Sequence, residues 1–251
     1  MLGRYQLKNG RRHHGTLATA TLLCGVLFSP VLQASVTLNT TRVIYNESQL
    51  DRIVRFTNEA SDPRLVQVWT DRGDPNSTIE SADSPFVVSP QMFRIEPGAG
   101  QVVRLIIDRK ESLPADRESI FYLNFVQFPA LPSNEQDKNK LVLVISSRLK
   151  ILYRPLAVEK PVQSAADMLK VEQNAQGIAI TNPTPLNVVV VSAALHDGAT
   201  TQVVPHTEVV PPLSKVVWAF RNTPPKGSAR TLRLAVVNDF GATVNAEYSL
   251  P

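Results

Sequence analysis

Residues 141–155 read LVLVISSRLKILYRP and form the longest strand candidate of the chain. Apolar residues recur through this stretch, and β-branched and aromatic side chains favour extended backbone. Arg154-Pro155 ends the run because proline has no backbone N–H to donate to a central strand ladder. The stretch therefore predicts one long strand from Leu141 to Tyr153, followed by a break in the fold.

The first five residues of this strand are all apolar. A strand with one solvated face would instead alternate apolar and polar residues. One apolar set can fill the core of the strand's own domain while Leu141, Leu143 and Ile145 remain free for a partner. The alternative is a strand that is buried on both faces within a single protein. The residues alone leave both interpretations open.

The same period-two alternation recurs along the rest of the chain, and turn residues separate the runs. Asp62-Pro63 and Glu96-Pro97-Gly98 supply the fixed or positive φ that tight reversals require. No amphipathic helix of useful length is visible, and this pattern is typical of a β-sandwich. The clearest alternating runs are Leu50 to Phe56, Val103 to Ile107 and Phe121 to Phe125. Leu65 to Trp69 is apolar on both faces and predicts a central strand with its Trp in the core.

The alternating pattern stops near residues 155–162 and then begins again. Strand-like runs in the second part are separated by Pro211-Pro212 and Pro224-Pro225, which mark strand ends and edges. We therefore predict an all-β protein with two immunoglobulin-like β-sandwich domains in series. The predicted domains span residues 35–156 and 157–251, and each is long enough for a core of its own.

Residues 1–34 have the composition of a cleavable secretory signal peptide. A basic start is followed by an apolar run from Leu17 to Phe28, which is too short to span a bilayer as a helix. Cys24 follows the large Leu23, which argues against a lipoprotein signal. We expect secretion from the cytoplasm, with no membrane insertion after cleavage.

Removal of this leader changes the charge of the chain. The whole chain has 26 Lys and Arg against 22 Asp and Glu, and the four basic leader residues reduce the 26 to 22. The mature chain is then formally neutral, so its charge does not favour a nucleic-acid partner. It also contains no cysteine, so no disulfide is available to stabilise it.

The mature sequence lacks the residue patterns of catalysis. His196 and His206 are its two histidines, and their spacing favours neither metal ligation nor a catalytic triad. No glycine-rich phosphate loop and no cysteine nucleophile is present. We predict a binding protein with no enzyme activity, no cofactor and no metal site.

One segment resembles a known signature. Residues 113–124, LPADRESIFYLN, followed by Phe128-Pro129-Ala130, are similar to the signature of the periplasmic pilus chaperones of the chaperone–usher pathway. Residues 150–155 (KILYRP), 182–185 (NPTP) and 238–241 (NDFG) extend the resemblance along the mature chain. The resemblance implies two immunoglobulin-like domains set at an angle, with a pilus subunit held in the cleft and along the last strand of the first domain.

The resemblance also implies roles for particular residues. Arg42 and Lys150 match the cations that grip the C-terminal carboxylate of the subunit, and charge-assisted hydrogen bonds suit that task. Leu141, Leu143 and Ile145 match the donated strand. Glu118, Arg154 and Asp239 match a charged link between the domains, and Ser89-Pro90 matches a cis peptide. The short loop after Phe128 and the missing cysteine pair match the short-loop subgroup.

These observations lead to one predicted function. We predict a periplasmic chaperone that donates a strand to incomplete pilus subunits and delivers them to an outer-membrane usher. A two-domain structural or adhesive surface protein is the first alternative, although no anchoring signal is visible. A secreted hydrolase built on a β-sandwich is the second, and the missing catalytic residues disfavour it.

Overall fold

The computed structural model describes residues 35–130, 142–159, 165–174, 177–197, 200–204, 209–219 and 230–250. The leader predicted for residues 1–34 and the predicted partner-binding residue Leu141 lie outside these ranges.

The first half of the described chain forms two sheets that enclose one core. One sheet has the strand order β1-β3-β7-β5, and the other has the order β2-β9-β8-β4-β6. β2 pairs with β9 in parallel, and the other pairings of this half are antiparallel. The strands are β1 Val36–Leu38, β2 Arg42–Asn46, β3 Arg52–Asn58, β4 Arg64–Asp71, β5 Phe86–Ser89, β6 Met92–Ile95, β7 Gly100–Ile107, β8 Ser119–Pro129 and β9 Ile145–Arg154.

The second half repeats this two-sheet arrangement. One sheet has the order β10-β11-β15, and the other has the order β13-β12-β16-β17 with β14 also paired to β12. The strands are β10 Lys170–Gln173, β11 Gly177–Asn182, β12 Val188–Asp197, β13 Thr200–Val204, β14 Val209–Val210, β15 Ser214–Ala219, β16 Arg230–Val237 and β17 Thr243–Leu250.

Each half has its own hydrophobic core. The core of the first half draws its buried side chains from residues 36–153, and that of the second half from residues 166–250. The helical elements of the described residues are two short 3₁₀ turns, at Leu156–Val158 and Ala165–Met168. The prediction of an all-β fold with two sandwiches in series is confirmed.

Two local expectations differ from the structure. β9 begins at Ile145, and residues 142–144 are not part of a strand, so the long strand is shorter than predicted. Trp69 is buried, but on the outer face of its sheet, because Val66 and Val68 occupy the inward positions of β4. Its Nε1 donates a hydrogen bond to Ser77 Oγ in the β4–β5 loop, at 3.1 Å.

A fully buried amide holds the turn that follows β11. Asn182 Nδ2 donates to the carbonyl oxygens of Leu186, Val210 and Pro211 at 2.7, 3.1 and 3.0 Å. Its Oδ1 accepts hydrogen bonds from the backbone N and the hydroxyl of Thr184 at 3.0 and 2.7 Å. Buried polar groups need such partners, so this one side chain satisfies several backbone groups at once.

We expect Asn182→Ala to destabilise the protein by about 2–4 kcal/mol, because it leaves several buried polar groups without partners. Chemical denaturation followed by circular dichroism measures the loss. Asn245→Ala, at an exposed position of β17, is the matched control and should change the free energy of unfolding by less than about 0.5 kcal/mol. Equal effects of the two substitutions would contradict the role assigned to Asn182.

Candidate functional site

Strand alternation places two cations side by side on the outer face of the first sandwich. Val43 and Tyr45 of β2 point into the core, so Arg42 points outward. Leu149 and Ile151 of β9 point into the core, so Lys150 also points outward. The parallel register pairs Arg42 with Lys150 directly. The two cations predicted from the sequence are therefore neighbours, although 108 positions of the chain separate them.

Neither cation has a carboxylate partner within hydrogen-bond distance among the described residues. Arg42 is 7% exposed, and its Nη1 donates to the carbonyl oxygen of Val237 at 3.1 Å. Arg42 Nε is buried without a hydrogen-bond partner. Lys150 is half-buried, and burial together with the charges of Arg42 and Arg148 lowers the pKa of its ammonium group. Two partly desolvated cations with unused donors form a site that favours a carboxylate.

The row of side chains that fills the core along β9 continues beyond the sandwich. Leu149, Ile151 and Tyr153 belong to the core, and Ile145 has the same parity but is 48% exposed. Leu143 is 74% exposed. The sequence suggested that the two faces of the strand divide core packing from partner binding. In the structure, side chains on one face of β9 are instead exposed at Ile145 and buried from Leu149 onward.

The backbone of this segment also has an open edge. β8 pairs with β9 from Ile145 to Tyr153, whereas β2 pairs only with Lys150 to Arg154. On the β2 side, no described strand pairs with residues 145–149. Unpaired N–H and C=O groups beside exposed apolar side chains are what β-strand addition requires.

Arg154 joins two carboxylates from different halves of the chain. Its Nε donates to Glu118 Oε1 at 2.6 Å, and its Nη1 and Nη2 donate to the two oxygens of Asp239 at 2.6 and 2.7 Å. The structure thus brings together the three residues that the sequence analysis grouped. The fork of an arginine suits this bidentate geometry, and lysine cannot reproduce it.

Arg154 and Asp239 shift each other's pKa. Burial alone would lower the pKa of Arg154, but the hydrogen bonds and charges of Asp239 and Glu118 raise it above its ordinary value. The hydrogen bonds from Arg154 hold the pKa of Asp239 below its ordinary value, despite partial burial and with help from the charges of Arg154 and Arg42. Arg154 and Asp239 therefore remain ionised at neutral pH.

The sequence analysis missed several residues that support this link. Glu118 Oε2 accepts hydrogen bonds from the backbone N and the Nδ2 of Asn187 at 2.8 and 2.9 Å. Gly241 has a φ of 82°, and a Cβ at this position would lie 2.6 Å from Thr41 Oγ1. Only glycine fits such a close approach without displacement. The NPTP and NDFG segments contributed to the family resemblance, but the sequence did not predict their contacts with Glu118 and Thr41.

A second polar network lies beside Lys150 and was also missed. Asp71 is fully buried and pairs with Arg148 at 2.6 Å. Ser77 and Asn124 donate hydrogen bonds to the same carboxylate. Arg148 is also the residue two positions before Lys150, so a basic pair at i and i+2 of a strand was a usable signal.

The Ser89-Pro90 peptide is cis. The described part of the chain contains no cluster of His, Cys, Asp and Glu that could hold a metal ion. No helix among the described residues is long and apolar enough to cross a membrane.

The two sandwiches, the paired cations and the open strand edge define a two-domain β-sandwich protein with an unpaired strand edge beside two cations. Residues 35–159 match the family described as "Pili and flagellar-assembly chaperone, PapD N-terminal domain". Residues 164–248 match "Pili assembly chaperone PapD, C-terminal domain". The chain belongs to this family of pilus-assembly chaperones.

Individual relatives agree with this assignment. The chain is 31% identical over 239 residues to the probable fimbrial chaperone YadV of Escherichia coli K12, covering 92% of this chain and 97% of the relative. It is 31% identical over 217 residues to the chaperone protein HifB of Haemophilus influenzae, covering 85% and 87%. The crystal structure of the YadV chaperone matches with a TM-score of 0.73 and 29% identity, over 86% of this chain and all of that one.

A further solved structure shows a member of the family with a partner. The SafB chaperone of Salmonella enterica, in complex with the SafA pilin, matches with a TM-score of 0.70 and 26% identity. The match covers 85% of this chain and 95% of that one.

We expect Arg154→Lys to widen the distribution of distances between the two sandwiches, because one ammonium group cannot hold both carboxylates in the same geometry. Spin labels at exposed sites on each half measure this distribution, and circular dichroism checks that both sandwiches remain folded. Arg117→Lys is the control, since Arg117 pairs with Asp116 on the exposed surface. If the two variants give the same distance distribution, Arg154 does not restrain the arrangement of the two sandwiches.

Proposed function

We propose that this chaperone holds pilus subunits by donating the apolar segment 141–145, which leads into β9, together with the open edge of β9, to their incomplete sandwich. The exposed row and the open backbone edge of this segment support the proposal. Chaperone–pilin complexes are a known example of β-strand addition. The SafA–SafB complex, which pairs a pilin with a chaperone similar to this chain, agrees with the same partner class.

The free edge supplies two kinds of interaction to such a client. Backbone N–H and C=O groups of residues 145–149 pair with the added strand, and Leu141, Leu143 and Ile145 fill pockets of the subunit. Burial of each aliphatic side chain is worth roughly 1.5–3 kcal/mol before the costs of association are subtracted. The apolar row therefore provides affinity, and the spacing of its side chains provides selectivity.

Arg42 and Lys150 complete the proposed site by binding the C-terminal carboxylate of the subunit. The single observation that carries this proposal is their direct pairing at the base of the open edge, with no carboxylate of the described chain within hydrogen-bond distance of either. A carboxylate bound here fixes the register of the client along β9. Charge-assisted hydrogen bonds of this kind contribute about 1.5–3 kcal/mol each.

The proposal also includes export of the chain, transfer of the subunit and the arrangement of the two sandwiches. The leader in residues 1–34 would export the chain to the periplasm, and an outer-membrane usher would receive the subunit. Glu118, Arg154 and Asp239 would hold the two sandwiches in one arrangement around the cleft. Release needs no nucleotide, since exchange of one strand for another conserves the backbone pairing.

We expect Lys150→Ala and Arg42→Ala each to weaken binding of a client C-terminal peptide about ten- to a hundredfold, because a charge-assisted contact is lost. Calorimetry with peptides that end in a free carboxylate or in an amide measures the effect. Lys215→Ala, which removes an exposed cation of the second sandwich, should leave binding unchanged. A double variant that still prefers the carboxylate over the amide would falsify the anchor assignment.

Leu143→Asn should weaken subunit capture while leaving the free chaperone nearly as stable as before. The side chain is exposed in the free protein, so its replacement removes no core contact. Leu50→Asn is the matched control, because Leu50 is an exposed leucine between β2 and β3 and is not part of the segment 141–149. Co-purification of subunit with each variant and thermal unfolding of each free variant separate the two effects. Equal losses of capture and melting temperature would place Leu143 in the chaperone's own core.

A further inference from the structure

Four residues form one row across the outer face of the five-stranded sheet. Arg42 pairs in register with Lys150, Lys150 with Tyr122, and Tyr122 with Asp71. The row therefore has two cations at one end, an aromatic ring in the middle and a carboxylate at the other end. Asp71 and Lys150 lie on strands that are two spacings apart, or about 10 Å.

The carboxylate of Asp71 is buried and fully engaged. It accepts hydrogen bonds from the Ser77 hydroxyl at 2.7 Å and from the backbone N of Gly73 at 2.6 Å, and Asn124 Nδ2 donates a third. Burial alone would raise the pKa of Asp71, but these hydrogen bonds and the Arg148 charge hold it below its ordinary value. Asp71 is therefore a permanent negative charge at neutral pH.

Arg148 reaches this carboxylate from the neighbouring row. Its Nη2 donates to Asp71 Oδ1 at 2.6 Å, and its Nη1 donates to the Asp74 carbonyl at 2.8 Å and to Asn124 Oδ1 at 3.2 Å. The guanidinium carbon lies 4.0 Å from the centre of the Tyr122 ring. Both Nη atoms thus donate to acceptors within the protein. Arg148 differs in this from Lys150, whose side chain makes no hydrogen bond or ion pair with a described residue.

An uncompensated charge on Asp71 would act on any anion bound at Lys150. At about 10 Å, with an effective dielectric constant between 20 and 80, two like charges repel enough to weaken binding about two- to fifteenfold. A cation that cancels the charge of Asp71 removes this penalty without touching the ligand. The geometry of Arg148 fits that task.

We infer that Arg148 is a positioning residue of the carboxylate site: by neutralising Asp71 on the far side of Tyr122, it leaves Arg42 and Lys150 as the charges that a bound carboxylate meets. The inference rests on the proposed function, and it assigns to Arg148 an indirect role in the same site. Arg148 contacts the buried anion, and its effect reaches the ligand through the electrostatic potential of the cleft.

The test compares four forms of the mature chaperone: the unsubstituted chain, Arg148→Gln, Arg148→Lys, and the double variant Asp71→Asn with Arg148→Gln. The probes are a synthetic strand-forming peptide with a free C-terminal carboxylate and the same peptide as an amide. The measured quantity is the ratio of the two affinities at low ionic strength, where surface charges are least screened. Arg233→Gln, which breaks an exposed ion pair with Glu247, is the control.

We expect Arg148→Gln to reduce the preference for the carboxylate about fivefold, within the range that the distance allows. Arg148→Lys should retain most of the preference, because it keeps the positive charge. The double variant should restore it, because the negative charge is then absent and two amides can hydrogen-bond in place of the ion pair. Arg233→Gln should have no effect.

Persistent loss in the double variant would show that Arg148 itself contacts the ligand, and it would overturn the inference. An unchanged preference in Arg148→Gln would overturn it equally. If Arg148→Gln does not fold, the double variant decides: a normal preference without a cation at position 148 supports the inference, and a reduced one contradicts it. If the unsubstituted chain shows no preference for the carboxylate, the proposed anchor itself fails.

Discussion

The parallel pairing of β2 with β9 is the constraint on which the rest of the structure depends. β2 has five residues, Arg42–Asn46, and it pairs with only the second half of β9. This pairing brings Arg42 beside Lys150, and it leaves the first half of β9 without a strand on that side. The cationic pair and the open edge are therefore consequences of one short strand.

The same strand pair connects the open edge of β9 to the link between the sandwiches. β9 ends at Arg154, which pairs with Asn46 at the end of β2 and reaches Glu118 and Asp239 with its guanidinium group. One ten-residue strand thus carries the open edge, the unpaired lysine and the interdomain arginine. Strand geometry sets the spacing of these residues along β9.

Three basic side chains of this strand have different electrostatic surroundings. Arg148 and Arg154 are matched with buried or partly buried carboxylates, since an unpaired buried charge is costly. Lys150 is half-buried without such a match, and burial together with two neighbouring cations lowers its pKa. A half-buried cation without a carboxylate partner costs free energy of folding, and under the proposed function a carboxylate of the subunit would recover it on binding.

The sequence by itself determined the fold class and the direction of most side chains, because period-two alternation is a local property of the chain. It also singled out Arg42, Lys150, Glu118, Arg154 and Asp239, although through resemblance to a family rather than through spacing. The register of parallel strands that are distant in sequence depends on packing across the whole sandwich. For that reason the pairing of Arg42 with Lys150 became visible only in the tertiary structure.

The tertiary structure also decided which residues in and just before β9 are buried and which are exposed. An apolar run reads the same in sequence whether a neighbouring strand covers it or not, so the apolar pattern alone, without the family resemblance, could not distinguish Leu143 and Ile145 from core residues such as Leu149. The position of Trp69 outside the core and the neutralisation of Asp71 by Arg148 also depend on the β4–β5 loop, whose path no local pattern predicts. Sequence periodicity specifies which face a side chain occupies, and only the assembled sheets decide what covers that face.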